Sequence, residues 1–186
     1  MTFFRQPPHC VGADLGPVAE VVSDKVWRAM HDASALLQRL GVKHALVGGL
    51  AMAAYGCLRA TNRVEFIVDD SAWLKTDAGL VVLRVGLPVQ AHGVAIDTLS
   101  VRDDERHLLG TIETPEVSEG VPVAPIEAVV YMKLASPRSK DRQDVIELVR
   151  AGADVGIVRR YLEAHAPHLV AALDAVVKTV EREEGL

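Results

Sequence analysis

Between Gly48 and Val68 the chain reads G-G-L-A-M-A-A-Y-G-C-L-R-A-T-N-R-V-E-F-I-V, and few local structures satisfy that order of residues. The apolar run His44-Ala-Leu-Val47 before it predicts a short buried strand. The glycine pair Gly48-Gly49 then permits a tight reversal. Leu50 to Tyr55 is compact and alanine-rich, which predicts a helix that Gly56 ends. Val64 to Val68 is β-branched and aromatic, so a second strand follows. Strand side chains alternate, placing Val64, Phe66 and Val68 on one side and Arg63, Glu65 and Ile67 on the other. A glycine turn at a helix start also lets backbone N–H groups approach an anion closely.

The remaining chain divides into a mixed first part and a helical second part. Pro7, Pro8, Gly12 and Gly16 mark residues 1–16 as an irregular lead. From Ser23, a candidate N-cap, the apolar positions Val26, Trp27, Met30, Leu36, Leu37 and Leu40 recur at helical spacing up to a stop at Gly41. Asp69-Asp70-Ser71 is a turn and cap signal. Leu80 to Val85 and Gly93 to Val101 are further strand candidates, the second interrupted by Asp97. From Pro125 onward the pattern is helical: Ile126 to Ala135, Ser139 to Arg150, a helix capped by Asp154 that runs to about His165, and one from Pro167 to about Glu184. Strands first and helices afterward predict an α+β fold, a small mixed sheet flanked by helices. Residues 1–124 would form the α/β core and residues 125–186 a helical region packed on it.

Composition excludes several classes. Apolar residues are 49% and charged residues 24% of a 186-residue chain, enough to bury a substantial core. A net charge of −5 argues against broad nucleic-acid binding but leaves room for a local basic site. Cys10 and Cys57 lie in no metal or redox spacing, and the seven histidines form no cluster in the sequence. No apolar stretch reaches membrane-spanning length, and the N-terminus lacks the order of a signal peptide. The expectation is a soluble cytoplasmic protein with no membrane partner.

The ordered set Gly48-Gly49, Arg59-x-Thr61, Glu65 on a strand, Asp97 downstream, and Lys133…Arg138-Ser-Lys140-Asp141-x-x-Asp144 resembles the motifs of the nucleotidyltransferase superfamily of DNA polymerase β type, in its small bacterial abortive-infection and minimal-nucleotidyltransferase branch. The resemblance covers roughly residues 25 to 150. It implies a nucleotidyltransferase-type sheet, a nucleoside triphosphate held by Gly48, Gly49, Arg59, Thr61 and Lys133, and Mg²⁺ bound by Glu65 and Asp97 as the catalytic carboxylates. It also implies an RNA or protein hydroxyl as acceptor and a toxin-like setting. Such chemistry needs hard oxygen ligands converging on a metal that offsets charge at phosphorus.

The departure lies at the first acidic position. Two carboxylates at i and i+2 would share a strand face, but here the pair is Arg63-Val64-Glu65. A guanidinium is permanently charged and cannot ligate a cation. Asp69 and Asp70 cannot substitute, because they lie past the strand and more than about 10 Å along it. Asp97 on an apolar strand needs a partner, which a metal, Arg63 or Arg59 could each supply. Lys133 either meets a phosphate or lies along the surface, and Asp141 and Asp144 brace the helix that begins near Ser139. The expectation is a pseudoenzyme on a nucleotidyltransferase scaffold, with metal-dependent transfer lost or weakened and nucleotide or partner binding retained. The alternatives are an active Mg²⁺-dependent enzyme and a non-catalytic, antitoxin-like interaction module using the helices from Asp154 to Glu184.

Overall fold

A computed structural model of the chain describes residues 12–58, 60–75 and 81–185. After a 3-10 turn at Gly16–Glu20 comes α1 (Asp24–Arg39). Ser23 caps α1, its hydroxyl accepting the Val26 N–H at 3.4 Å. Val26, Ala29, Met30, Ala33 and Leu37 recur on its buried stripe. The helix stops before Gly41, whose φ of +71° lies in the left-handed region that glycine enters without strain.

Next, β1 (His44–Val47) is buried at all four positions and runs straight into α2 (Gly48–Ala54). With β2 (Arg63–Val68), β5 (Gln90–Ala91), β6 (Val94–Ser100), β7 (Glu116–Ser118) and β8 (Val121–Val123), it forms a six-stranded sheet in the order β5-β6-β2-β1-β8-β7. The sheet is mixed: β2 runs antiparallel to β1 and parallel to β6, and β8 runs parallel to β1. Two further strands, β3 (Trp73–Lys75) and β4 (Val81–Leu83), form a separate antiparallel ribbon. The architecture is therefore α+β with a mixed sheet, as the residue pattern predicts.

Several boundaries differ from the sequence expectation. Gly93 is a turn residue, not the start of a strand. His92 and Gly93 both have positive φ (51° and 76°) and join β5 to β6, which suits the twist of a two-residue hairpin. The same device, Glu119 (φ 50°) and Gly120 (φ 75°), joins β7 to β8. That second hairpin is absent from the sequence reading, because Pro115 and Pro122 mask a strand pattern only three residues long on each arm. Leu80, part of the expected third strand, and Cys10 lie outside the described residues.

A short helix, α3 (Leu109–Glu113), precedes the second hairpin. The helical region consists of α4 (Ile126–Leu134), α5 (Ser139–Arg150), α6 (Val155–His165) and α7 (Val170–Glu184), the last entered through a 3-10 turn at Pro167–Leu169. Asp154 caps α6 by accepting the Ile157 N–H at 3.0 Å. One cluster of buried side chains runs from Leu15 through the sheet to Val176. Within it the buried Tyr55 donates its hydroxyl to the Ala124 carbonyl at 2.9 Å, fixing the end of α2 against the end of β8. Among the described residues no helix is long and apolar enough to cross a membrane.

The face of the sheet opposite the glycine turn contains a buried polar pair. His44 Nδ1 lies 3.0 Å from the Val42 carbonyl, which can only accept, so Nε2 takes the proton of the Ser34 hydroxyl at 2.8 Å. Burial pushes the His44 pKa below its ordinary value, outweighing the Val42 carbonyl and Asp69, which pull it upward. The folded state thus binds fewer protons than the unfolded chain below about pH 6.5, and stability falls as pH drops through that range. Ser34→Ala, which leaves Nε2 unsatisfied, is expected to lower stability by about 1–3 kcal/mol at neutral pH. Urea denaturation at pH 7.5 and 5.5 checks both statements; a pH effect that persists undiminished in His44→Gln would refute His44 as its source.

Candidate functional site

Pairing register settles which charged groups of the sheet share a face. Arg63 stands opposite Ala95 and Glu65 opposite Asp97 on the neighbouring parallel strand, so Arg63, Glu65 and Asp97 project to the same side. That is the side of α2, because Val47, which leads into α2, pairs with Glu65. Phe66 and His44 project to the other side, where His44 meets Ser34 of α1.

The glycine turn and Glu65 are fitted to each other. Gly48 has φ of +65°, and a Cβ there would overlap Glu65 Oε2 outright and lie 2.6 Å from its Cδ. The carboxylate of Glu65 therefore lies directly over the Gly48 backbone, in space that any side chain at position 48 would fill. Gly49 follows as a buried residue lining the adjoining cleft.

That cleft has a volume of about 620 Å³ and is bordered by Gly49, Thr61, Arg63, Glu65, Lys133 and Arg138, with Ala60, Asn62, Lys140 and Asp141 completing its wall. Thr61 sits at its mouth and donates its hydroxyl to the Arg63 carbonyl at 3.3 Å. Arg59 lies outside the described residues. Asp97 stands just beyond the cleft, with Oδ2 3.2 Å from Arg63 Nη1, so of the partners open to it in the sequence Arg63 is one it meets. The pair is solvent-accessible, with 58% of the Arg63 and 40% of the Asp97 side chain exposed.

The second wall is a buried ion cluster at the junction of α4 and α5. Lys133 Nζ lies 2.8 Å from Asp141 Oδ1 and 2.7 Å from Asp144 Oδ2. The far oxygen of Asp141 accepts from Ser136 Oγ at 2.5 Å and from Arg138 Nε at 2.6 Å. Asp141 and Asp144 are only 2% and 6% exposed, so they are internal groups compensated by a cation. Burial alone would raise the Asp141 carboxyl. Hydrogen bonds from Lys133, Ser136 and Arg138 outweigh it and bring the group down to about 2. Lys133 borders the cleft and does not lie along the surface: its ammonium is held between two carboxylates, and those carboxylates brace the start of α5.

The residues implied as metal ligands do not fit a divalent ion as they are arranged. Mg²⁺ demands a compact, near-octahedral set of hard oxygens. Here the Glu65 carboxylate lies over Gly48, that of Asp97 is held by a guanidinium, and among the described residues no three His, Cys, Asp or Glu side chains converge. Arg63 places a permanent positive charge 3.2 Å from the Asp97 carboxylate, on the face it shares with Glu65.

Two lining cations, Arg138 and Lys140, were not among the site residues that the sequence suggested. Their signal was the pair of basic residues on either side of Ser139, at the start of α5, which come to border the cleft with Glu65 and Arg63 only once α5 is packed. A second juxtaposition concerns the histidines, which are scattered in sequence. His107 and His165 stack with centroids 4.9 Å apart and planes 6° from parallel, beside Tyr131 and Tyr161. Burial and the neighbouring His165 lower the His107 pKa, against a smaller upward pull from Glu105.

No family model matches the chain, and no curated protein matches it. Among solved structures it is similar to an antigenic nucleotidyltransferase-like protein from Paracoccidioides brasiliensis, at 15% identity over 82% of this chain and 94% of that one, with a TM-score of 0.46. The similarity lies in the course of the backbone, and the chemistry of the cleft rests on the residues described above.

Proposed function

We propose that this chain is a nucleotidyltransferase-type protein that has lost metal-dependent transfer and binds phosphate-bearing nucleotides through fixed cations. The observation that carries the reading is the Arg63–Asp97 ion pair, which puts a guanidinium beside the carboxylates on the glycine-turn face. Nucleotidyl transfer requires charge neutralisation at phosphorus and an aligned hydroxyl, tasks that divalent metal normally supplies. A guanidinium offers neither a ligand exchange site nor an activated oxygen, but its planar fork suits phosphate oxygens well. Arg63, Arg138 and Lys140 border a cleft of nucleotide size, and the motif resemblance from Gly48 to Asp144 supports a nucleotide as its occupant.

Calorimetric titration with ATP, in chelator and then with excess Mg²⁺, tests the reading. Binding is expected without metal and is expected to weaken when Mg²⁺ neutralises the phosphates. Labelled triphosphates of all four bases, incubated with cellular RNA and protein, are expected to leave no label on either. Mg²⁺-dependent labelling would instead establish an active enzyme.

A further inference from the structure

Among the described residues, three of the four cations bordering the cleft already hold carboxylates. Lys133 is fixed between Asp141 and Asp144, and Arg138 uses Nε for Asp141. Both of those arrangements are anchored by buried anions. Arg63 differs: its partner Asp97 is part-exposed, the separation is 3.2 Å, and the pair bridges neighbouring strands on the glycine-turn face, where Arg63 borders the cleft. An exposed pair of this kind is weak, and an incoming anion can replace it.

We propose that Asp97 is a tethered competitor for the ligand's phosphate, so that binding is an exchange on Arg63 in which phosphate displaces the Asp97 carboxylate. The inference rests on the reading of the cleft as a nucleotide site. Asp97 is then a residue that limits affinity. It would contribute nothing through a metal, and its removal would improve binding. The sign is opposite to that expected of a metal ligand, whose loss weakens binding, and of a purely structural carboxylate, whose loss changes stability alone. The exchange acts on the phosphate only. A nucleoside lacking phosphate has nothing to trade for the carboxylate and should not sense Asp97.

Calorimetric titrations of the full chain with AMP and with adenosine, without divalent metal, provide the test. Asp97→Asn is expected to strengthen AMP binding about twofold to fivefold, the range of an exposed ion pair, and to leave adenosine unchanged. Arg63→Gln is expected to weaken AMP binding, and most of the Asp97→Asn gain should vanish in the double variant, because the two residues act on one event. Asp97→Ser is the second variant should the amide disturb β6, and a thermal melt verifies that each variant is folded. If AMP binds the parent chain but Asp97→Asn leaves it unchanged or weaker, the exchange is wrong while the nucleotide reading survives. If adenosine gains as much as AMP, the exchange is equally wrong. If neither the parent chain nor any variant binds AMP, the nucleotide reading fails and the exchange fails with it.

Discussion

Replacing Lys133 by methionine is expected to destabilise the protein by roughly 3–5 kcal/mol at neutral pH, among the largest effects any single side chain here should show. Methionine keeps most of the volume, so the loss is electrostatic. It strands Asp141 and Asp144, both nearly inaccessible to water, without the ammonium that now lies within 2.8 Å of each. The pH dependence separates this cause from lost packing. In the parent protein the Asp141 carboxyl sits at about 2, below its unfolded value. Its stabilising contribution is thus fully present above about pH 4 and disappears as pH falls toward 2, a swing of about 2–3 kcal/mol. Without Lys133 the Asp141 carboxylate is protonated more readily, so the penalty of the variant is greatest at pH 7 and shrinks toward pH 4. Urea denaturation across that range measures it; a variant within 1 kcal/mol of the parent at pH 7, or a deficit independent of pH, would show that the cluster does not stabilise the junction of α4 and α5.

Gly48→Ala should be nearly as severe, by about 2–4 kcal/mol. Two terms add. A non-glycine residue at φ of +65° is strained by about 1 kcal/mol or more, and the new methyl group collides with the Glu65 carboxylate. The terms are separable because the second belongs to a removable side chain. In a Glu65→Ala background the collision is gone, and Gly48→Ala should lose only the conformational part, about 1–2 kcal/mol. Additive effects in the double variant would place the Glu65 carboxylate away from the turn in solution. That result would also reopen the glycine-turn face to a different arrangement of charges.

Much of the architecture was legible because it depends on local chemistry. Ser23 and Asp154 cap helices with the side chains that best replace a missing backbone acceptor, and the alternation of Val64, Phe66 and Val68 marked one fully buried face of β2. Short elements were harder. The arms of the hairpin from Glu116 to Val123 hold three residues each, too few for period-two alternation to stand out. The dipeptides His92-Gly93 and Glu119-Gly120 were available as signals, but a non-glycine residue at positive φ is uncommon enough that only the backbone identifies it.

At the cleft the division is sharper. Residue order alone established that a guanidinium and a carboxylate share one strand face, and that a lysine, an arginine and two aspartates accompany the start of a later helix. It could not establish pairing, since Arg63 had Glu65 two residues away and Asp97 thirty-four residues away as candidate partners. Parallel pairing of β2 with β6 decided that, by bringing Asp97 beside Arg63 while Gly48 drew the Glu65 carboxylate over the turn. Packing of α5 on α4 likewise placed Lys133, a candidate phosphate contact, at the centre of a buried ion cluster in the cleft wall. The physical reason is range. Caps, turns and alternation are fixed by neighbours a few bonds apart, whereas the partner of a charge is whichever opposite charge the completed fold leaves closest in the driest place.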